Sequence, residues 1–173
     1  MFSLRFDRKD LPHWADCYPV EEDKEIEIVI APQVRARGYY TKNEFQKTCN
    51  WKTHRSEPLV EKNPEGFIHA ATQTALSTPD ERLRIEVLTL LDGVGWPTAS
   101  VLLHFGHSVP YPILDFRALW SLEIDKPPID YDFNFWWEYT QFCRHLASEA
   151  GVTMRNLDRA LWQYSKENQK VTG

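Results

Sequence analysis

The sequence predicts an all-α protein. Apolar residues recur at intervals of three and four along most of the chain, as they do on the buried face of an amphipathic helix. Several of these segments begin and end at residues that cap helices: Thr41 followed by Glu44 is a capping-box pattern, and Gly151 ends a long aromatic-rich segment. Strand-like alternation is almost missing, and residues 26–30 are the one plausible strand.

In the first half of the chain, two prolines among the first twenty residues leave room for at most a short helix. The next predicted helix runs over residues 21–38, with a kink or break at Pro32 and an end at Gly38. Ser77 or Thr78 is expected to cap the next helix, whose apolar, buried side includes Leu83, Leu88 and Leu90. The predicted helices of this half cover residues 21–38, 42–52, 67–76 and 82–91.

In the second half, an apolar run restarts at Ala99 after a glycine turn, and Asp115 stands where a further helix begins. An acidic, proline-containing linker covers residues 125–132. Thr153 is expected to cap the last helix. The remaining predicted helices cover residues 116–122, 135–150 and the segment after residue 153. Their apolar side includes the aromatic pair Trp136–Trp137, which we interpret as core.

The 173 residues suit a single helical unit, 1–173, which can be divided into two lobes. One lobe would be a central bundle of about residues 20–122 with a hairpin at 82–107. The other would combine the N-terminal segment with residues 132–170.

The formal net charge is −5, which argues against a protein that binds polyanions non-specifically. The charge is unevenly distributed: residues 7–27 hold eight acids and three bases, whereas residues 41–62 hold five bases and three acids. Residues 144–170 have the same mild basic excess, five against three. Two basic segments could therefore form a phosphate-facing surface while the acids face elsewhere.

The distribution of apolar residues and of cysteines excludes several classes of protein. No apolar run approaches the roughly 18 to 20 residues that cross a bilayer, and we expect a cytoplasmic protein without a membrane partner. Cys17, Cys49 and Cys143 lack metal spacing and are expected to be reduced, mostly buried thiols. Neither a metal cluster nor another cofactor is predicted, and the sequence does not indicate an oligomeric state.

A Gly-Val-Gly turn lies at the centre of the most informative stretch, residues 90–119. Gly93 and Gly95 can adopt positive φ and allow a backbone or a phosphate to approach, and Val94 is the expected apolar anchor of the turn. The helix after such a turn presents backbone N–H groups that suit a phosphate oxygen. An alternative is that the glycines only allow two helices to pack closely.

This stretch resembles the helix-hairpin-helix motif and following aspartate loop of the DNA glycosylase superfamily that includes endonuclease III, MutY, AlkA and 8-oxoguanine glycosylase. The first part of the motif is matched by Leu-Asp-Gly-Val-Gly-Trp-Pro-Thr-Ala at 91–99, and the second by Pro-Ile-Leu-Asp at 112–115. The resemblance covers about residues 83–122. It implies a helical bundle that binds DNA through Gly93, Val94, Gly95 and Thr98.

The family resemblance also implies a catalytic role for Asp115, whose alternative role is to cap the helix that starts at Phe116. Bifunctional members carry a lysine nucleophile where this chain has Pro97, 18 residues before Asp115. Pro97 therefore excludes a lysine Schiff base at this position. A monofunctional glycosylase, which relies on the aspartate, stays compatible with the sequence.

Other residues are weaker candidates for contact with a ligand. Trp51 could stack on a base, with Lys52 and Arg55 as phosphate ligands, although a core tryptophan between solvated cations is the commoner arrangement. Trp96 could line a pocket or cover the end of a helix, and Arg117 could pair with Asp115 or with a phosphate. His104 and His107 could bind phosphate or transfer protons, but structural roles are commoner for such histidines.

The sequence therefore predicts a DNA-binding, DNA glycosylase-like protein. If it is active, it is a hydrolase in DNA repair that excises a base without cleaving the strand. One alternative is a non-catalytic helix-hairpin-helix module that binds DNA or another partner. The other is a scaffold with a ligand that is not a nucleic acid.

Overall fold

The computed structural model describes residues 2–170, and every regular element in that part of the chain is helical. The prediction of an all-α protein is confirmed. Within the described residues the α-helices are α1 (Leu11–Asp16), α2 (Ala31–Arg37), α3 (Lys42–Lys52), α4 (Glu57–Val60), α5 (Glu65–Ser77), α6 (Glu81–Glu86), α7 (Trp96–Gly106), α8 (Phe116–Ser121), α9 (Phe133–Ala150) and α10 (Met154–Asn168). Short 3₁₀ segments cover Arg8–Asp10, Glu21–Asp23, His54–Ser56 and Val87–Leu90, and a π-helix covers Glu25–Ile30.

The chain forms two compact units. The first, Val20–Tyr111, contains α2 to α7 and therefore the glycine turn. The second consists of the described residues within Met1–Pro19 and Pro112–Gly173, so it contains Asp115 and helices α1 and α8 to α10.

Helix α7 is the centre of the first unit. All of residues 98–106 are buried, and α7 packs against α2, α3, α5 and α6. An α-helix surrounded in this way is apolar on every side, which explains why residues 99–105 read as a nearly continuous apolar run. The buried environment fixes the position of the turn that precedes α7.

In the second unit, α10 packs against α1, α8 and α9. The aromatic face predicted for α9 is buried at Trp136, Tyr139 and Cys143. The Tyr139 hydroxyl donates a hydrogen bond to the Ile113 carbonyl (2.7 Å), and burial is the main cause that raises the pKa of Tyr139. This bond holds the extended segment that leads to Asp115.

Predicted helix boundaries agree best where a local sequence signal marks that end of the helix. Helix α3 begins after Thr41 with both bonds of the capping box, as predicted. Helix α9 ends at Gly151, whose φ is 65°, and α10 begins after Thr153, whose side chain accepts from the Asn156 N–H. In each case the side chain or the left-handed backbone of one residue satisfies the helix end.

Three predicted elements differ from the structure. The helix predicted over 82–91 changes to 3₁₀ geometry at Val87, and Leu83 and Leu90, placed on its buried side, are exposed. The residue that caps this helix is Asp80, and not Ser77 or Thr78 as predicted. The Asp80 carboxylate accepts a hydrogen bond from the Leu83 N–H at 2.7 Å.

The segment 21–38 is divided among 3₁₀, π and α geometry rather than forming one helix. Pro32 stands in the first turn of α2, directly after the π-helix, because proline has no N–H to donate to a preceding turn. Residues 26–30, considered as a strand, are part of the π-helix. Gly38 ends α2 with φ 86°, as predicted.

Two of the three thiols are buried, and burial raises the pKa of Cys49 and of Cys143. Cys17 is exposed, so the thiols are mostly buried, as predicted. Within residues 2–170 no helix has the length and hydrophobicity needed to span a membrane.

Candidate functional site

The glycine turn joins the 3₁₀ segment Val87–Leu90 to α7, and its two glycines have different backbone conformations. Gly93 has φ 78°, which is left-handed, whereas Gly95 is extended, with φ −90° and ψ 179°. Val94 is 5 % exposed and serves as the predicted apolar anchor. Only Gly93 therefore requires glycine for its dihedral angles.

The surroundings of the two glycines differ as well. A Cβ on Gly93 would lie 2.9 Å from Val60 Cγ2, 3.1 Å from Leu59 Cβ and 3.1 Å from the Ser56 carbonyl oxygen. Helix α4 thus occupies that side of Gly93, which agrees with the close-packing alternative. A Cβ on Gly95 would find no atom nearer than Pro97 Cδ at 3.8 Å, and Gly95 is exposed. Gly95 is the glycine that leaves room for a ligand.

Asn63 fixes the turn, although no sequence signal identified it. Its side-chain oxygen accepts from the Asp92 N–H at 2.8 Å, and its amide donates to the carbonyls of Asp92 (2.9 Å) and Val60 (3.0 Å). The side chain is 1 % exposed. A contact across 29 residues cannot be read from local pattern.

The N-terminus of α7 follows Gly95. An α-helix leaves the N–H groups of its first turn without intrahelical acceptors, and Pro97 at the second position has no N–H. Thr98 is buried, so a ligand would meet its backbone N–H rather than its side chain. Trp96 is half-buried. These N–H groups and the positive end of the helix dipole suit an anionic oxygen.

Arg55 and Asp92 are sequence neighbours of residues that contact or form this turn. Ser56, whose carbonyl contacts Gly93, follows Arg55, and Arg55 is exposed without an ion pair to any of the described residues. Lys52 is half-buried at the end of α3. The Asp92 carboxylate is exposed and precedes Gly93. Arg55 therefore adds the positive charge that a phosphate would need beside Asp92.

Trp51 is held within the first unit. Its indole N–H donates to Asp23 at 2.9 Å, and its ring meets Phe105 edge-on, with centroids 5.3 Å apart. Trp51 lines an open groove of about 330 Å³ whose wall includes Glu22 and Glu25. The groove also includes Lys47, which pairs with Glu25, and contact of Trp51, Lys52 and Arg55 with DNA stays a prediction.

The two histidines after α7 make structural bonds. His104 is 8 % exposed, and its Nδ1 lies 2.7 Å from the Tyr111 carbonyl. His107 Nε2 lies 2.8 Å from the guanidinium of Arg84, and its Nδ1 accepts from the Val109 N–H at 2.9 Å. These contacts agree with the structural role that was the commoner alternative.

Asp115 begins α8. Its Oδ1 accepts a hydrogen bond from the Arg117 N–H at 2.9 Å, and its φ of −140° and ψ of 142° are those of an N-cap residue. The predicted capping role is confirmed. The side chain is half-buried, so the cap leaves part of it exposed to solvent.

The surroundings of Asp115 contain aromatic and basic groups of the second unit. Partial burial, and in second place the negative charge of Asp115, raise the pKa of Tyr131. The guanidinium of Arg117 lies over the rings of Phe116 (5.2 Å) and Trp162 (5.3 Å). Sequence reasoning identified Arg117 but not Tyr131 or Trp162, because these residues approach Asp115 and Arg117 only through packing.

Two comparisons found no match: no family model and no curated protein is similar to this chain. A structure of the Methanocaldococcus jannaschii 8-oxoguanine glycosylase/lyase in complex with 15mer DNA containing 8-oxoguanine is similar, with a TM-score of 0.46 and 21% identity over 96% of this chain and 82% of that one. The M. jannaschii 8-oxoguanine DNA glycosylase (MjOgg) has a TM-score of 0.45 and 19% identity, over 95% and 78%. These likenesses are weak, and assignment of a function depends on the residues of this chain.

In the described range, no group of three or more potential ligand side chains is placed to hold a metal ion.

Proposed function

We propose that this chain binds DNA through the turn at Gly95, with the N-terminus of α7 contacting a backbone phosphate. The observation that carries the proposal is the open side of Gly95, where an added Cβ would meet nothing closer than 3.8 Å. Bonds from Asn63 fix the turn, so a phosphate would meet N–H groups that are already oriented. Arg55 supplies an exposed positive charge next to the segment that contacts Gly93.

We further propose that Asp115 assists cleavage of an N-glycosidic bond. Such cleavage builds positive charge on the sugar, and a carboxylate stabilises that charge or orients the attacking water. The target base would first be flipped out of the duplex. The partial exposure of Asp115 supports this role, since a ligand can approach a residue that is partly open to solvent. Pro97 makes the reaction independent of a lysine nucleophile at that position.

The excision test uses duplexes that carry a panel of oxidised, deaminated and alkylated bases. Replacement of Asp115 by Asn or by Ser removes the charge and retains a side chain that caps helices well. We expect excision to fall roughly 100-fold or more, while duplex affinity changes little. Asp132→Asn is the matched control, because Asp132 caps α9 through the same kind of bond, at 2.9 Å. Absence of excision from every duplex, or full activity of Asp115→Asn, would contradict the proposed catalysis.

A non-catalytic DNA-binding module is the second candidate. It is favoured by the capping bond of Asp115, because this bond gives Asp115 a structural role that does not require catalysis. The two candidates differ in one result: the module binds the duplexes and excises no base.

A further inference from the structure

Four cations of the second unit gather on two aromatic rings, Tyr18 and Trp162. Arg155 and Arg159 lie over Tyr18, at 5.5 and 5.6 Å from the ring centroid. Arg117 and Lys166 lie over Trp162, at 5.3 and 5.0 Å. The two rings meet edge-on, with centroids 5.4 Å apart. We call these six residues the cation–aromatic cluster.

The cation–aromatic cluster is positively charged in a chain whose net charge is −5. The carboxylate of Asp158 pairs with Arg155 and is 8 % exposed. Cations that are gathered on neighbouring rings repel one another, and an external anion would relieve that repulsion. The acid Glu167 at the end of α10 accepts a hydrogen bond from Gln163 at 2.6 Å.

The geometry of the cluster suits phosphate. Arginine binds phosphate through paired N–H donors, and an aromatic ring beside the guanidinium does not compete for those donors. The ring also restricts the arginine side chain before binding, so less conformational freedom is lost when the phosphate is bound. Arg117 and Arg159 are half-buried and Lys166 is exposed, so solvent reaches these groups.

The shape of the cluster favours an extended polyanion. Arg155 and Lys166 are eleven residues apart on α10, which is about 16 Å along the helix axis. One strand of DNA rises about 3.4 Å per nucleotide, so this length corresponds to about five nucleotides. A strand of phosphates matches such a row better than a single small anion does.

We propose that the cation–aromatic cluster is a second DNA-contacting surface, which binds the phosphates of one strand next to Asp115. The inference rests on the proposed function, because it takes DNA as the partner. Arg117 joins the two features: its N–H is the group that Asp115 caps, and its guanidinium belongs to the cluster. A strand held there would have its sugar–phosphate backbone close to the Asp115 carboxylate.

The test measures the salt dependence of binding to a fluorescein-labelled 21-base-pair duplex for the whole chain. Each phosphate contact contributes about 0.9 to the slope of log K against log salt concentration. We expect the double variant Arg159→Gln, Lys166→Gln to lower the slope by about 1.8. Lys24→Gln combined with Arg82→Gln is the matched control, since it removes the same charge from two exposed cations that pair with Glu21 and Glu86. The control should retain the wild-type slope.

An unchanged slope in the folded double variant, or an equal decrease in the control, overturns the inference. If circular dichroism shows that the double variant is unfolded, Lys166→Gln alone replaces it, with an expected decrease of about 0.9, because Lys166 is exposed. The results also distinguish failure of this inference from failure of the proposed function. A smaller slope for the double variant, together with no base excision by the wild type, would support the cluster and contradict the proposed catalysis. A slope that changes only when Gly95 is replaced would support DNA binding at the turn and contradict the cluster.

Discussion

Asn63 and Gly93 illustrate which parts of the site the sequence can predict. The Gly-Val-Gly pattern predicted the turn and its apolar anchor, because both depend on residues that are adjacent in the chain. The role of Gly93 as a contact for α4, and of Asn63 as the residue that binds Asp92, depends on partners about 30 positions away. Local pattern contains no information about such partners, and only the packed structure brings them together.

Removal of the Asn63 side chain should destabilise the protein. Asn63→Ala leaves the partly buried N–H and C=O of Asp92 without their partner, and we expect a loss of about 1 to 3 kcal/mol in the free energy of unfolding. Urea denaturation measures this loss. Asn43→Ala, at an exposed position of α3, is the control and should change stability by no more than about 0.5 kcal/mol. Similar stabilities for the two variants would refute the role of Asn63.

At the scale of whole elements, helix ends were predictable where one side chain or one glycine satisfies them. Thr41, Asp115, Thr153 and Gly151 each do so through a bond or dihedral angle within a few residues. The helix over 82–91 was mispredicted because its final turn is tightened to 3₁₀ geometry just before Leu91 and the turn fixed by Asn63. Packing overrides helical periodicity there, and this exposes Leu90.

The junction between α5 and α6 depends on Arg84. Its guanidinium donates to the carbonyls of Ala75 (2.7 Å) and Thr78 and pairs with Glu81, and its side chain is 7% exposed. Arg84→Met would leave these acceptors unsatisfied, so we expect a loss of about 3 kcal/mol. Arg82→Met removes a side chain that is 67% exposed and should cost no more than about 0.5 kcal/mol. Thermal and urea unfolding of both variants test the difference, and equal losses would contradict it.

At the scale of the whole molecule, each unit has its own buried core with one buried cysteine. Cys49 belongs to the first unit, Cys143 to the second, and both are fully buried. The sequence did not predict which thiol would be accessible, because each cysteine has a polar residue directly beside it, namely Asp16, Asn50 or Arg144.

Thiol labelling should distinguish the three cysteines. Dithionitrobenzoate reacts with thiolates, and burial both shields Cys49 and Cys143 and raises the pKa of each thiol. We expect the native protein at pH 8 to react quickly at Cys17 alone, and at all three cysteines in urea. Cys17→Ser should remove the fast reaction. Fast reaction of a second thiol in the native protein would contradict the burial described for these cores.

Binding of DNA at the N-terminus of α7 is the central claim, and a pair of substitutions at Gly95 tests it most directly. Aspartate and asparagine both cap helices well at this extended position, so both variants should fold with stability close to that of the wild type. Aspartate alone places a negative charge where a phosphate would bind. We predict that Gly95→Asp lowers duplex affinity at low salt by roughly 10-fold or more relative to Gly95→Asn. Equal affinity of the two folded variants would contradict the claim.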